Sequence, residues 1–329
     1  MPIGTGAGPT IERELETHRR ALTGYCYRML GSGSEAEDAV QETMVRAWRA
    51  ADSLETKAAL KSWLYRIASN VCFDMLQGPQ RRALPMDLGP ASAADAALGP
   101  ATESWVQPIA DGRVLPDDGG DPAEIAAARE TLRLAFVAAL QHLPARQRAV
   151  LILREVLRWQ ASEVAELLET SVASVNSALQ RARATLESLD LDASSGPSDV
   201  DGGVEQDLLA KYVDAFERYD MTSLVALLQK DAAFSMPPFP LWVQGPDDIV
   251  KFMTGTGAKC EGSRVLVTSA NGGPAAAIYN PTEDGSYRGW AIVVIEASDG
   301  KISGLHHFIY PELFGQFGLP ERLEGDHAG

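Results

Sequence analysis

The chain has 329 residues, a formal net charge of −16 and three cysteines, so we expect two or three domains in a reducing cytoplasm. Cys26, Cys72 and Cys260 are odd in number and far apart in sequence, which excludes a disulfide framework and a cysteine-based zinc site. We also expect no membrane span and no secretory signal, because no apolar run approaches about 20 residues and no basic stretch precedes an apolar one at the N-terminus.

Residues 10–82 are predicted to form a compact domain of three helices. Apolar residues recur at helical spacing over 12–30 and again over about 59–77. Between these stretches, Ser34 and the glutamate three residues later form a capping-box pattern that starts the second helix.

Residues 83–121 are predicted to be an acidic, flexible linker. The segment is rich in Ala, Gly, Pro and Asp and has no sustained period. Trp105, Val106 and Ile109 are the exceptions, and we expect them to dock locally.

Residues 122–190 are predicted to be a second helical domain. Pro122 and Pro144 suit helix starts. A short helix at 161–169, a tight turn and a polar-faced helix at 170–186 follow, which is the helix-turn-helix pattern. The two helical domains are neutral or mildly basic, and most of the acidic excess lies elsewhere, so the net charge does not exclude contact with phosphates.

A second linker is predicted at 191–203, and residues 204–329 change in character. Two helices, a strand, a helix at 246–254 and four strand-like runs with Gly-containing turns indicate an α+β domain with a curved antiparallel sheet.

The helix at 170–186 offers candidate DNA contacts on its polar face. Residues near the N-terminus of such a helix reach base edges, and nearby arginines hold phosphates. An amphipathic helix with a merely solvated polar face is the alternative. The predicted buried stripe is Val172, Val175, Leu179, Ala182 and Leu186. The candidate contacts are Ser171, Ala173, Ser174, Asn176, Ser177, Gln180, Arg181 and Arg183, with Arg146, Arg148, Arg154 and Arg158 for phosphates.

Four motifs follow one another in a specific order: "DAVQETMVRAWRA" (38–50), "LKSWLYRIASNVCFDML" (60–76), "LPARQRAVLILREVLRWQASEVAELL" (143–168) and the polar-faced helix. This succession resembles the extracytoplasmic-function (ECF) sigma factors of the sigma-70 family. The resemblance implies two all-α sigma domains that direct promoter-specific transcription initiation with core RNA polymerase. It implies no catalysis and no cofactor.

The resemblance also assigns contacts. The "DAVQET" helix is expected to dock on the clamp helices of the polymerase β′ subunit, through Asp38, Gln41, Glu42, Val45 and Trp48. The next helix is expected to read melted −10 DNA, through Ser62, Trp63, Arg66, Asn70, Asp74, Arg81 and Arg82. The helix-turn-helix domain is expected to read −35 DNA and to meet the β flap.

Two of these assignments have a competing interpretation. Trp63 is better suited to the core than to base stacking. The family's run of arginines after the −10 helix is replaced here by "QGPQRR", which predicts weaker phosphate contact.

The C-terminal third resembles the SnoaL-like domain, a cone of the nuclear-transport-factor-2 type, in residues 232–253 and 306–320. The resemblance implies that this domain regulates the sigma domains in cis, in place of a separate anti-sigma protein. It also implies a pocket for a small-molecule ligand. The predicted lining is Met236, Phe239, Trp242, Tyr279, Trp290, His306, His307 and Phe308.

Two other functional classes remain open at this point. One is a helix-turn-helix regulator that binds duplex DNA without core polymerase. The other is an isomerase-like enzyme whose C-terminal pocket uses His306 or His307 for proton transfer. Adjacent residues of a strand point to opposite faces, so only one histidine can point inwards and a shared metal is not expected.

Overall fold

The computed structural model describes residues 8–54, 56, 59–77, 82–102, 105–116, 121–189 and 202–325. The chain divides into two compact units, and each of them is interrupted in sequence. The helical unit comprises Met1–Arg81, Gly112–Leu132 and Phe136–Asp190; the C-terminal unit comprises Arg82–Asp111, Arg133–Ala135 and Leu191–Gly329. Most of the predicted linker 191–203 lies outside the described residues.

The helices before residue 190 match the predicted helical segments, except that α4 lies within the predicted linker 83–121. They are α1 (Gly8–Leu30), α2 (Gly33–Arg49), α3 (Leu60–Met75), α4 (Pro85–Leu88), α5 (Pro122–Glu130), α6 (Leu134–Leu140), α7 (Ala145–Leu151), α8 (Ala161–Leu167) and α9 (Val172–Ser188). A π-helical turn, Ile152–Val156, continues α7.

The start of α2 differs from its prediction. Its N-cap is Ser32, whose hydroxyl accepts a hydrogen bond from the Glu35 backbone N–H at 3.4 Å, and Ser34 is already helical. Gly31 has a φ of 72°, which ends α1 abruptly and leaves Ser32 extended in the cap position. The turn between α1 and α2 is therefore two residues shorter than the capping-box pattern at Ser34 indicates.

The core of the helical unit joins α1 to α3 by an aromatic and hydroxyl contact. Tyr25 and Ser69 share a hydrogen bond of 2.7 Å, and the rings of Tyr25 and Tyr65 are 5.3 Å apart. Beside them, the fully buried thiols of Cys26 and Cys72 share a hydrogen bond, and this contact together with burial raises the pKa of Cys72. Two cysteines that are far apart in sequence are thus neighbours in the fold.

The C-terminal unit contains the sheet. Its helices are α10 (Gly202–Glu217), α11 (Met221–Leu227), α12 (Pro246–Thr254) and α13 (Leu313–Gln316). Its strands are β1 (Leu228–Ser235), β2 (Trp242–Gln244), β3 (Arg264–Ala270), β4 (Gly273–Pro281), β5 (Tyr287–Ser298), β6 (Lys301–Phe308) and β7 (Arg322–Leu323). The order is β2-β1-β6-β5-β4-β3, with β7 on β5.

The expected antiparallel sheet needs one correction. All described strand pairs are antiparallel except β1 with β6, which is parallel. After the β1–β2 hairpin the chain crosses through α12 to the far edge of the sheet and returns strand by strand, so β6 arrives beside β1 in the same direction. The sheet has two edges and does not close.

The two faces of the sheet have different neighbours. Phe234, Val293, Ile295 and Leu305 belong to the apolar core that also contains residues of α10 and α12. The intervening residues, among them His306, point to the opposite face because side chains alternate along a strand. We call this second face the outer face.

Residues 82–111, here called the docked segment, pack on the C-terminal unit and are not a free linker. The Trp105 indole N–H donates to the carbonyl of Pro238 at 2.7 Å, and the Trp242 indole N–H donates to the carbonyl of Gly89 at 3.0 Å. The backbone N–H of Ile109 donates to Oδ1 of Asn271 at 3.1 Å. The segment therefore runs from the end of β1 to the β3–β4 turn.

The prediction of a flexible linker over 83–121 is not met in this part, whereas local docking of Trp105, Val106 and Ile109 is observed. These three side chains are buried in the C-terminal unit. Most of the other contacts are backbone hydrogen bonds, such as Ser92 N–H to the Trp242 carbonyl and Thr102 N–H to the Pro238 carbonyl. Backbone bonding leaves no hydrophobic period, so composition alone could not indicate this docking.

Candidate nucleic-acid and polymerase interfaces

Helix α9 has a fixed start. Ser171 is extended, and its hydroxyl accepts the N–H of Ser174 at 3.1 Å, as a helix N-cap does. Val175, Leu179 and Ala182 are buried as predicted. Val172 is 44% exposed, so its assignment to the buried stripe is wrong. It occupies the first helical position, beyond the edge of the core that holds the later turns.

The polar face of α9 is open to solvent. The exposed candidates are Ser171, Ala173, Ser174, Asn176, Ser177, Gln180, Arg181 and Arg183. Arg183 donates from Nε to the Glu155 carboxylate at 3.0 Å, which fixes its guanidinium beside the helix. This geometry presents hydroxyl groups and the Asn176 amide near a capped helix N-terminus, with guanidinium groups further along the same helix, a combination that fits base edges and phosphates.

The arginines proposed for phosphate contact divide into exposed and structural ones. Arg146 and Arg158 are exposed, and Arg158 lies in a turn with a φ of 59°. Arg148 is buried and donates to the carbonyls of Gln141 and Leu143, both at 3.1 Å. Arg148 therefore stabilises the fold and does not face solvent.

The −10 candidates on α3 are only partly accessible. Ser62, Asn70 and Asp74 are exposed, while Trp63 and Arg66 are half-buried. Asp74 lies 3.5 Å from the Arg46 guanidinium.

The two arginines after α3 are the remaining −10 candidates. Arg82 groups with the C-terminal unit and donates to the Trp105 carbonyl at 2.9 Å. Arg81 lies outside the described residues.

The polymerase-docking candidates share one face of α2. Asp38 and Gln41 are exposed, Glu42 and Val45 are half-buried, and Trp48 is 55% exposed. Their spacing of three or four residues places them on one stripe, opposite the buried alanines of the helix. A largely exposed tryptophan beside carboxylates fits an aromatic anchor for a basic partner surface.

The eight predicted pocket residues do not share one face of the sheet. His307 is buried on the core side, with its ring 4.5 Å from that of Phe234 and 6.2 Å from that of Trp290. Burial lowers the pKa of His307 to about 3, so the ring is neutral at physiological pH. Met236 belongs to the same core, and Trp290 packs against it.

The remaining predicted pocket residues lie elsewhere. His306 and Phe308 are on the outer face by alternation along β6. The ring of Tyr279 packs on Phe314 at 5.1 Å, and its hydroxyl donates to the Pro320 carbonyl. Trp242 holds the docked segment through Gly89, and Phe239 is half-buried.

A polar row on the outer face was missed by sequence reasoning. Nδ1 of His306 lies 2.9 Å from the Ser235 hydroxyl, and Nε2 lies 3.3 Å from the Glu296 carboxylate. The bond to His306, with Arg133 nearby, outweighs burial and lowers the pKa of Glu296. The carboxylates of Asp214 and Glu217 are used elsewhere, by the Arg218 guanidinium and the Val265 N–H respectively. The available signal was Gly304, whose missing side chain makes room for the pair.

The described residues set two further bounds on function. No helix there combines the length and apolar character needed to cross a bilayer. No group of three or more His, Cys, Asp or Glu side chains in the same residues is arranged to hold a metal ion.

Comparison with known proteins adds the family. Residues 15–82 match the family model of sigma-70 region 2, residues 133–186 match sigma-70 region 4, and residues 209–305 match the SnoaL-like domain. The ECF RNA polymerase sigma factor SigG of Mycobacterium tuberculosis is 44% identical over 97% of this chain and 88% of its own length. The chain belongs to the ECF RNA polymerase sigma factors. The resemblance inferred from the order of the motifs is therefore confirmed.

A second relative and its solved structure match nearly the whole length of this ECF sigma factor. The sigma factor SigJ of M. tuberculosis is 29% identical over 94% of the chain and 95% of its own length. The crystal structure of SigJ covers 94% of this chain and 99% of its own, with a TM-score of 0.61 at 24% identity, which shows a shared fold. As a sigma factor, the protein acts in transcription initiation with core RNA polymerase and promoter DNA.

Proposed function

We propose that this sigma factor binds the β′ clamp helices through α2, reads −10 DNA with α3 and reads −35 DNA with α9. The observation that carries this proposal is the exposure of every α9 candidate along a helix whose start is capped. The exposed Trp48 stripe on α2 supports the polymerase contact. The helix-turn-helix domain meets the β flap, and the protein works in the cytoplasm, where its polymerase is.

Run-off transcription with core polymerase tests these assignments, with DNA from the region upstream of the protein's own gene as template. Arg181→Ala removes an exposed cation from α9, so it should weaken promoter binding and lower the slope of log affinity against log salt by about 1. Arg218→Ala removes an exposed cation just after α10 and should change neither quantity. Equal effects of both substitutions would contradict the assignment of α9.

A pull-down with core polymerase separates this proposal from a polymerase-independent regulator. Trp48→Ala should reduce binding to core polymerase and leave binding to duplex DNA unchanged, because the indole is an anchor on a different helix. Failure of the native chain to bind core polymerase would contradict the polymerase contact itself.

We further propose that the C-terminal unit regulates the sigma domains in cis by holding the docked segment. In the family this segment runs through the polymerase towards the RNA exit path, so it cannot occupy both places. The hydrogen bonds from Trp105, Ile109 and Trp242 support this competition. Release of the segment is then the step that the C-terminal unit controls.

Substitution at the β3–β4 turn tests this competition. Asn271 has a φ of 54° and Asp299 has a φ of 51°, so glycine fits both turns without strain. Asn271→Gly combined with Trp105→Phe removes two side-chain hydrogen bonds to or from the docked segment. Hydrogen exchange over 105–111 and run-off transcription should both increase, while Asp299→Gly should change neither. Faster exchange with unchanged transcription would show that docking has no regulatory part.

We propose neither a reaction nor a small-molecule ligand for the C-terminal unit. The predicted pocket side chains divide between two faces of the sheet. Glu296, whose carboxylate is the partner of His306, lies on the outer face. Turnover that is lost in His306→Ala or His307→Ala would overturn this part of the proposal.

A further inference from the structure

The turn between β3 and β4 is an Asn-Gly dipeptide, Asn271–Gly272, and the sequence contains no other. Asn271 has a φ of 54° and Gly272 has a φ of 78°, so both residues are left-handed, as a two-residue turn of type I′ requires. Valine, serine and proline follow the other asparagines of the chain. Because glycine has no side chain to shield its peptide nitrogen, Asn271 is the asparagine best suited to attack by the nitrogen that follows it.

This attack needs no enzyme. The peptide nitrogen of Gly272 forms a bond to Cγ of Asn271, the bond from Cγ to the side-chain nitrogen breaks, and ammonia leaves with the proton of the attacking nitrogen. One water molecule then opens the resulting succinimide ring at either of its two carbonyls. One opening gives aspartate, and the other gives isoaspartate, in which the main chain runs through the former side chain.

The docked segment holds both reacting groups. The Ile109 N–H donates to Oδ1 of Asn271 at 3.1 Å, and the Gly272 N–H donates to Oδ1 of Asp111 at 2.7 Å. The N–H of Asn271 also donates to the Ile109 carbonyl at 3.1 Å. A carboxylate is far too weak a base to deprotonate a peptide nitrogen, so Asp111 holds the attacking group in place and does not activate it.

Burial adds to this restraint. Asn271 is 3% exposed and Asp111 is 9% exposed, and the Ile109 side chain is buried beside them. Ring closure requires the Asn271 side chain to turn towards the next peptide nitrogen, and this rotation breaks its bond to Ile109. The docked segment therefore restricts both the rotation of the amide and the access of water.

Conversion changes the surface on which residues 109–111 lie. Either product adds a carboxylate beside that of Asp111, and like charges at a buried site repel each other strongly. Isoaspartate also lengthens the main chain by one atom, which a two-residue turn between paired strands does not accommodate. The departed ammonia is lost to the solvent, so the change is permanent.

We propose that Asn271–Gly272 is a deamidation site, that the docked segment protects it, and that conversion permanently weakens docking once the segment has left the β3–β4 turn. The inference rests on the proposed release of the docked segment. It adds a covalent step that makes such a release irreversible.

Mass spectrometry of the full-length chain measures the reaction. The tryptic peptide 265–288 contains Asn271 and Asn280. Asn280 precedes Pro281, whose nitrogen carries no proton, so the mass gain of this peptide reports conversion at position 271. During incubation in mildly alkaline buffer, the native chain should convert much more slowly than the urea-unfolded chain. Equal rates would overturn the protection.

Ile109→Ala and Leu224→Ala form a matched pair. Each removes a buried aliphatic side chain from the C-terminal unit, but only Ile109 belongs to the docked segment. Ile109→Ala should raise the conversion rate by about tenfold or more, because truncation of a buried isoleucine favours local release of the segment. Leu224→Ala should convert at the native rate, and circular dichroism checks that both variants fold. Equal acceleration would assign the protection to overall stability and overturn the inference.

Hydrogen exchange over 105–111 measures the consequence of conversion. Ion-exchange chromatography separates converted from unconverted chains after incubation without urea, because each converted chain has gained a negative charge. The converted chains should exchange faster over these residues than the unconverted chains of the same incubation. Equal exchange in the two fractions would overturn the claim that conversion weakens docking.

Run-off transcription with the two fractions distinguishes this inference from the proposed regulation in cis. Converted chains should start transcription more efficiently, because their docked segment is released more often. Faster exchange with unchanged transcription would overturn the regulation and support the deamidation site. Unchanged exchange would overturn the effect of the site, whatever the segment does in transcription.

Discussion

Glu296 and His306 are paired across two strands on the outer face, with 3.3 Å between Oε2 and Nε2, and Gly304 lies beneath the pair. A Cβ at position 304 would come within 2.7 Å of that nitrogen and 3.1 Å of that oxygen. The contact between Glu296 and His306 therefore requires a residue without a side chain at position 304.

Gly304→Ala should destabilise the C-terminal unit by about 1–3 kcal/mol, because the new methyl group separates a largely buried hydrogen-bonded pair. Urea unfolding of the full chain measures the change. Gly315→Ala is the control, since no atom lies within 4 Å of its added Cβ. Equal stability of native and Gly304→Ala proteins would show that the pair is not coupled to the glycine.

Mild acid should destabilise the C-terminal unit through His307. Its pKa is about 3 in the folded chain against 6.5 for a free side chain. Below pH 6.5 the unfolded chain binds a proton that the folded chain excludes, so stability falls by about 1.4 kcal/mol per pH unit until the pH approaches 3. His307→Phe should remove this slope in urea unfolding between pH 6.5 and 5. An unchanged slope would assign the acid response to other groups.

The cap of α9 separates stability from DNA binding. Ser171→Ala should cost about 1 kcal/mol in the stability of the helical unit, and Ser171→Asn should preserve it, because asparagine also caps. Ser171→Asp should keep stability but weaken binding to duplex DNA, since a carboxylate then faces phosphates. Thermal unfolding and a DNA titration at fixed salt distinguish these effects. Equal stability of the alanine and asparagine variants would contradict a capping role.

Cys26 and Cys72 should resist alkylation in the folded chain. Both thiols are buried, and the raised pKa of Cys72 keeps it protonated. Iodoacetamide at pH 8 followed by mass spectrometry should leave both unmodified, while an introduced Met75→Cys at an exposed position reacts. Rapid modification of either native thiol would indicate that α1 and α3 separate in solution.

The sequence predicts those elements whose signal is local. Apolar periodicity locates α1, α3 and α9. Val172 fails because a helical stripe does not show where the surrounding core ends. The order of motifs locates the candidate polymerase and DNA contacts, although it does not reveal that Arg148 is buried.

Contacts between distant segments are what the sequence does not show. The parallel pairing of β1 with β6 depends on a crossover that no local pattern encodes. The contact of Cys26 with Cys72 depends on how α1 crosses α3. The docked segment is held mainly by backbone hydrogen bonds, and such bonds are available to any composition.

The C-terminal unit is built from segments that are far apart in the sequence, and this has a consequence during protein synthesis. Trp105 and Ile109 emerge from the ribosome 133 and 162 residues before their partners Pro238 and Asn271. At typical translation rates this interval lasts roughly 10–30 s. Each newly made chain therefore passes through a period in which residues 82–111 have no surface to cover them. The length of time for which the docked segment stays uncovered in the nascent sigma factor is therefore set by the order of its segments in the sequence.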